Sequence, residues 1–125
     1  MWLWAFMTIV VLFTPLLMIL LGNHIYKKPP EEISEVYGYR TPRSMKNKET
    51  WEFSQKRFGR IFAKLGWILI MPSILVMILV INSSEETIAI VGVAAIIIQC
   101  IFITYPIVDV ERALKKNFDE FGRRL

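Results

Sequence analysis

YGYRTPRSMKNKETWEFSQKRFGRIFAKL, residues 37 to 65, is a basic, aromatic-rich segment set between long apolar runs. On its N-terminal side, Met1 to Leu21 holds no ionisable side chain. At about 1.5 Å of rise per residue, such a run spans about 30 Å as a helix, the thickness of a bilayer's hydrocarbon core. On its C-terminal side lie two more apolar runs, Leu65 to Ile81 and Ile88 to Val108. The quoted segment is therefore the polar connection of an all-α membrane protein. Three transmembrane helices are expected at residues 1–21, 62–81 and 88–108, with Lys64 snorkelling to the headgroups. Residues 22–61 form a loop and residues 109–125 a tail, and the 125 residues make a single membrane domain.

The composition agrees with this reading. The chain is 54% hydrophobic with a mean hydropathy of +0.45, more apolar than a soluble domain of its size. Its net charge is +4. The positive charge flanks apolar runs, which points to anionic lipid headgroups and away from direct nucleic-acid binding. The single cysteine, Cys100, excludes an intrachain disulfide and a cysteine metal cluster, and is expected as a small buried packing residue. A cleavable signal would place basic residues ahead of a shorter apolar core. Here Lys27 and Lys28 follow the run, so the first span is expected to be retained.

Charge also orients the chain. Ten of the 15 lysines and arginines lie between Gly22 and Lys64, none between Asn82 and Thr87, and five beyond Val108. The positive-inside rule puts the loop and tail in the cytoplasm and the N-terminus outside. Only the N-terminus and a short turn then face outward, so a ligand must be recognised in the bilayer or at the cytoplasmic interface.

Local signals fill in the connections. Pro15 is expected to kink the first span, with Thr14 or a neighbour taking up the freed carbonyl. Trp2 and Trp4 would form the outer aromatic belt. Gly22 to Pro30 reads as a loop whose prolines force an extended path, and a turn or short helix is possible at Glu31, Glu32 and Glu35. Thr41-Pro42 suits a turn or an N-cap, and Asn47 is the better N-cap. From Lys48 onward, Trp51, Phe58, Ile61, Phe62 and Leu65 share one face, while Glu52, Lys56, Arg60 and Lys64 share another. This predicts a cytoplasmic basic amphipathic helix between the first and second spans, with Glu52–Lys56 as an i,i+4 pair. That helix either lies along the interface or runs straight into the next span, with Gly59 or Gly66 as a bend. In the tail, Leu114, Phe118, Phe121 and Leu125 recur at helical spacing and predict a short amphipathic helix that ends at Gly122.

No catalytic constellation, cofactor motif or metal cluster is present in the sequence. His24 reads as an interfacial loop residue. Gln99 and Thr104, the main polar groups of the third span, suit interhelical hydrogen bonds better than substrate contact. Arg40 and Arg43 bracket the Thr-Pro turn. A planar guanidinium grips phosphate or carboxylate with paired hydrogen bonds, so the turn is either a shaped site or a lipid-headgroup contact.

Three pieces of the chain resemble the SdpI family of bacterial membrane proteins. They are Gly38-Tyr39-Arg40-Thr41-Pro42 followed by Ser44; Asn47 with Trp51 four residues on and then Gly59; and Leu114-Lys115-Lys116-Asn117-Phe118-Asp119 followed by Gly122. The resemblance covers roughly residues 16–124. It implies an immunity protein that protects the cell from a toxic, membrane-attacking peptide and signals by sequestering a transcriptional repressor at the membrane. It also implies a ligand or partner site at Gly38, Tyr39, Arg40, Thr41, Pro42, Arg43, Ser44, Asn47 and Trp51, with Asn117 and Asp119 in a secondary role. No site role is carried over to Ser54, Gln55 or Lys56. The runner-up reading is a small transporter or membrane enzyme acting on a lipid or other amphiphile as a homo-oligomer. A third is an accessory subunit of a larger complex.

Overall fold

A computed structural model describes residues 1–28 and 38–125. The path expected at Pro29-Pro30 and the turn at Glu31, Glu32 and Glu35 lie outside the described residues. Three helices follow in order: α1 (Trp2–Lys27), α2 (Lys48–Leu79) and α3 (Glu85–Asn117). Each is long and apolar enough to cross a membrane.

Each helix is also longer than the span expected from its apolar run. With 26, 32 and 33 residues, they measure about 39, 48 and 50 Å against a hydrocarbon core of about 30 Å. Most of the excess is charged and projects at one end of the bundle, here the polar end, while Glu85 and Glu86 begin α3 at the other. Two expectations change as a result, and one alternative is decided. Gly22 to Lys27 is helix, not loop. The basic amphipathic segment takes the second of its two expected courses and is not a separate helix, because α2 runs unbroken from Lys48 through Gly59 and Gly66 to Leu79. Asp109 to Asn117 continues α3. Charge marks where a helix leaves hydrocarbon, not where it stops; lysine, arginine and glutamate are good helix formers.

The glycines explain why α1 and α2 lie so close. A Cβ on Gly22 would sit 2.5 Å from the Ala63 nitrogen, and one on Gly59 would sit 2.6 Å from the Tyr26 nitrogen. At Gly66 it would meet the Pro15 carbonyl oxygen at 2.8 Å. Gly59, Ala63 and Gly66 thus form a small-residue seam that lets two backbones touch, as membrane helices do where dispersion replaces the hydrophobic drive. These glycines are contact points, not bends.

Between the ends, Met18 packs with Leu65 and Leu69, and nearer the Asn82 turn Met7 and Val11 pack with Met77 and Ile88. Trp2 is exposed, but Trp4 turns inward and its Nε1 donates to the Met77 carbonyl at 2.7 Å. The outward surface is a belt of large apolar side chains that includes Trp67, Met71, Leu75, Ile98 and Ile101. Cys100 belongs to this exposed surface, so it is not a buried packing residue. Its position on α3 faces away from the other two helices.

One polar junction crosses the apolar core. Proline has no N–H to give the carbonyl four residues earlier, so Pro15 leaves the Val11 carbonyl without its helical donor. Gln99 of α3 supplies one: its Nε2 donates to Val11 O and to Ser73 Oγ, each at 2.9 Å. Gln99 therefore ties all three helices together. Thr104 makes no such link and donates to Ile101 O within its own helix. Gln99→Leu should cost about 1 kcal/mol, the scale of interhelical hydrogen bonds in membranes. The loss should shrink in a Pro15→Ala background, where residue 15 regains its N–H. A double-mutant cycle in detergent unfolding measures this coupling, and a coupling of zero would show that the amide does not replace the missing donor.

Candidate functional site

The polar end is built from the loop after residue 37, the first turns of α2 and the last turns of α3. Two reciprocal caps order it. Ser44 Oγ accepts from the Thr41 N–H at 2.9 Å while Thr41 Oγ1 accepts from the Ser44 N–H at 3.2 Å. Three residues later Asn47 Oδ1 accepts from the Thr50 N–H at 2.9 Å and Thr50 Oγ1 accepts from the Asn47 N–H at 3.1 Å. The second pair is a capping box that starts α2, as expected for Asn47. Thr50 Oγ1 also lies 3.1 Å from the Ser44 carbonyl oxygen as donor, joining the two turns. Gly38 takes φ +97°, a left-handed conformation that favours glycine, and it delivers the chain to Tyr39.

Tyr39 is clamped at both backbone groups by one buried side chain. Its N–H donates to Gln55 Oε1 at 2.7 Å, and Gln55 Nε2 donates to its carbonyl at 2.6 Å. The phenol reaches α3, donating to Glu111 Oε1 at 2.8 Å, and the ring packs against Phe58. Burial first, and then the Glu111 carboxylate, push the Tyr39 phenol above its ordinary pKa. Arg43 Nε stands 3.9 Å from the other Glu111 oxygen. The loop is thereby fixed to both helices.

The tail closes the same end, though not as a helix. Phe118 is buried and forms an antiparallel bridge with Arg124, and the chain reverses through Gly122 at φ +83°. Phe121 and Leu125 are exposed, so the helical spacing of the tail does not become an apolar face. Asp119 holds the reversal, accepting from the Phe121 and Arg123 N–H groups at 2.9 and 2.8 Å. These bonds, led by that from Arg123, hold its carboxyl below the ordinary value. Asn47 Nδ2 donates to the Gly122 carbonyl at 2.7 Å, and Arg124 lies over the Phe53 and Phe118 rings. Asn117 donates to Ala113 O in its own helix.

The residues singled out in the sequence thus gather at one end but differ in access. Tyr39, Ser44 and Trp51 are buried, with Trp51 at 0% exposure. Thr41, Arg43 and Asn47 are half-buried, and Arg40 and Pro42 are exposed. Arg40 and Thr41, with Gly38 and Tyr39, border a hollow of about 300 Å³ whose other wall is Phe58, Phe62, Ile103 and Ile107. A cationic mouth over an apolar wall suits an amphipathic ligand.

Sequence reading missed Gln55, Glu111 and the Arg57–Asp109 pair. Gln55 lies one turn from Trp51, a faint signal. Arg57 Nε meets Asp109 Oδ2 at 2.8 Å across 52 residues, which no local pattern reveals. Glu52 pairs with Lys48 at 3.9 Å and not with Lys56. Among the described residues, no group of three or more histidine, cysteine or acidic side chains could hold a metal ion.

A family model described as the SdpI/YfhL protein family matches residues 32–108, more than half of the chain. The match takes in the Gly38 loop, all of α2 and most of α3. No significant match arises among curated proteins or solved structures.

Proposed function

The chain belongs to the SdpI/YfhL protein family, and from that premise we propose that it is an integral membrane immunity protein that protects against a membrane-active toxic peptide. The observation that carries this reading is the hollow at the polar end. Arg40 stands at its mouth, on a loop locked by Gln55, Ser44 and Asn47, and Phe58, Phe62, Ile103 and Ile107 line its wall. A peptide that attacks bilayers is amphipathic, and this hollow offers a cation for a carboxylate beside rings and branched chains for apolar side chains. Arg43 supports the loop through Glu111.

In this proposal the polar end faces the cytoplasm of a bacterial cell, because it holds the lysines and arginines. The peptide reaches the hollow through the bilayer. The outer surface of the loop and tail, with Pro42 and Arg123 exposed, is where a transcriptional repressor would be held. The test is survival of a toxin-sensitive cell against a panel of membrane-active peptides. Arg40→Ala should abolish protection at equal protein level, while Lys115→Ala, exposed and not part of the hollow's lining, should keep it. Full protection by Arg40→Ala would remove this hollow as the site.

A further inference from the structure

Helix α2 carries a second set of cations that the loop hollow does not use. Lys56, Arg60 and Lys64 recur every four residues, are all exposed, and extend over about 12 Å of helix. Among the described residues, none of the three forms an ion pair. They border a cleft of about 760 Å³ that shares no lining residue with the hollow at Arg40. Below them the cleft is apolar, walled by Ile61 and Ile68 of α2 and by Phe102 of α3.

The level of the cleft is set by helix length. A hydrocarbon core of about 30 Å takes about 20 residues of helix, and counting back from Leu79 at the end of α2 reaches Arg60. Lys56 then sits among headgroups, Arg60 at the boundary, and Lys64 within snorkelling reach of it. Ile68 and Phe102 lie in hydrocarbon. Tyr26 of α1 and Tyr105 of α3, both half exposed, line the same cleft, as expected of phenols at a membrane interface. The acidic residue on this wall, Asp109, is held by Arg57 through two bonds at 2.8 and 3.4 Å, which limits its repulsion of an anion.

We propose that this cleft binds one anionic phospholipid, with its phosphate on Lys56, Arg60 and Lys64 and an acyl chain along Ile61, Ile68 and Phe102. A small soluble anion would satisfy the cations and leave the apolar wall without a partner. A neutral lipid would fill the wall and leave three cations unpaired. A negatively charged headgroup on a hydrocarbon chain matches both at the depth where each is found.

The test uses the full chain purified in a mild detergent, with phosphatidylglycerol and phosphatidylcholine added separately and bound lipid counted by native mass spectrometry. One phosphatidylglycerol should be retained in preference to phosphatidylcholine. The triple variant Lys56→Gln, Arg60→Gln, Lys64→Gln should weaken retention on the order of a hundredfold, three surface charges each contributing severalfold. A control with the same charge loss, Lys46→Gln, Lys115→Gln, Lys116→Gln, should change it far less. Ile68→Trp, which fills the apolar wall and leaves the charge unchanged, should also lower retention. Circular dichroism confirms that each variant is folded. Equal losses in the two triple variants would show diffuse attraction and overturn the proposal. So would equal retention of phosphatidylcholine, or displacement of the lipid by inorganic phosphate. No toxin enters this measurement, so its failure is separate from a failure of the immunity reading.

Discussion

Gly59→Leu should separate α1 from α2 and cost at least about 3 kcal/mol, the upper range for forcing a larger side chain into a packed interior. The reason is the nature of the neighbours. A Cβ at residue 59 would lie 2.6 Å from the Tyr26 nitrogen and 2.7 Å from the Gly22 carbonyl oxygen. Both are backbone atoms of a helix and cannot rotate away. Only movement of the whole helix relieves the clash, and that movement also opens the contact at Gly66. Unfolding in a denaturing detergent, followed by fluorescence transfer between probes on α1 and α2, reads the effect. Gly92→Ala is the matched control, since its new methyl group meets the flexible end of Met7 and should be tolerated. A Gly59→Leu protein as stable as the parent would show that the helices are not held at backbone contact.

Trp51→Ala should be the most damaging single truncation at the polar end, at about 3–5 kcal/mol. Trp51 is the largest of the fully buried side chains, at 0% exposure. Its flanks matter as much as its volume. Thr50, on one side, closes the capping box, and Gln55, one turn on, clamps Tyr39. A cavity at residue 51 therefore loosens the Gly38–Ser44 loop as well as α2. Thermal unfolding and hydrogen exchange at the Tyr39 amide should report both losses, and Trp51→Phe should recover most of each. Under the proposed immunity role, protection against toxin should fall in step with folded protein. If protection vanished while stability and exchange stayed at the parent values, Trp51 would act by touching the ligand.

The two arginines of the loop are not equivalent, which sequence alone did not reveal. Their spacing around Thr41-Pro42 suggests a symmetric pair. In the fold, Arg43 is turned toward Glu111 of α3 and helps fix the loop, whereas Arg40 is exposed at the mouth of the hollow. Glu111, which meets Arg43, is 68 residues from it along the chain. Likewise, Gly38 and Gly122 could be read as turn glycines, but the hydrogen bond from Asn47 that joins the loop side to the Gly122 turn spans 75 residues. Asp119, singled out as part of a secondary site, holds that turn through local bonds to Phe121 and Arg123.

The sequence by itself determined the class: three apolar runs of spanning length, a polar segment after the first, and a capping asparagine at residue 47. Hydropathy and capping are local properties, carried by a run or by a few neighbouring residues. Tertiary structure decided where the helices stop, because charged turns stay helical when packing and long-range bonds hold them. It decided that Gly22, Gly59 and Gly66 are contacts, since only an opposing backbone gives a missing Cβ its purpose. It also decided that Gln99 replaces the donor lost at Pro15, and that Gln55 and Glu111 build the loop site. Each of those features pairs groups far apart in the chain, and pairing at that distance is set by how helices pack, not by any pattern along one of them.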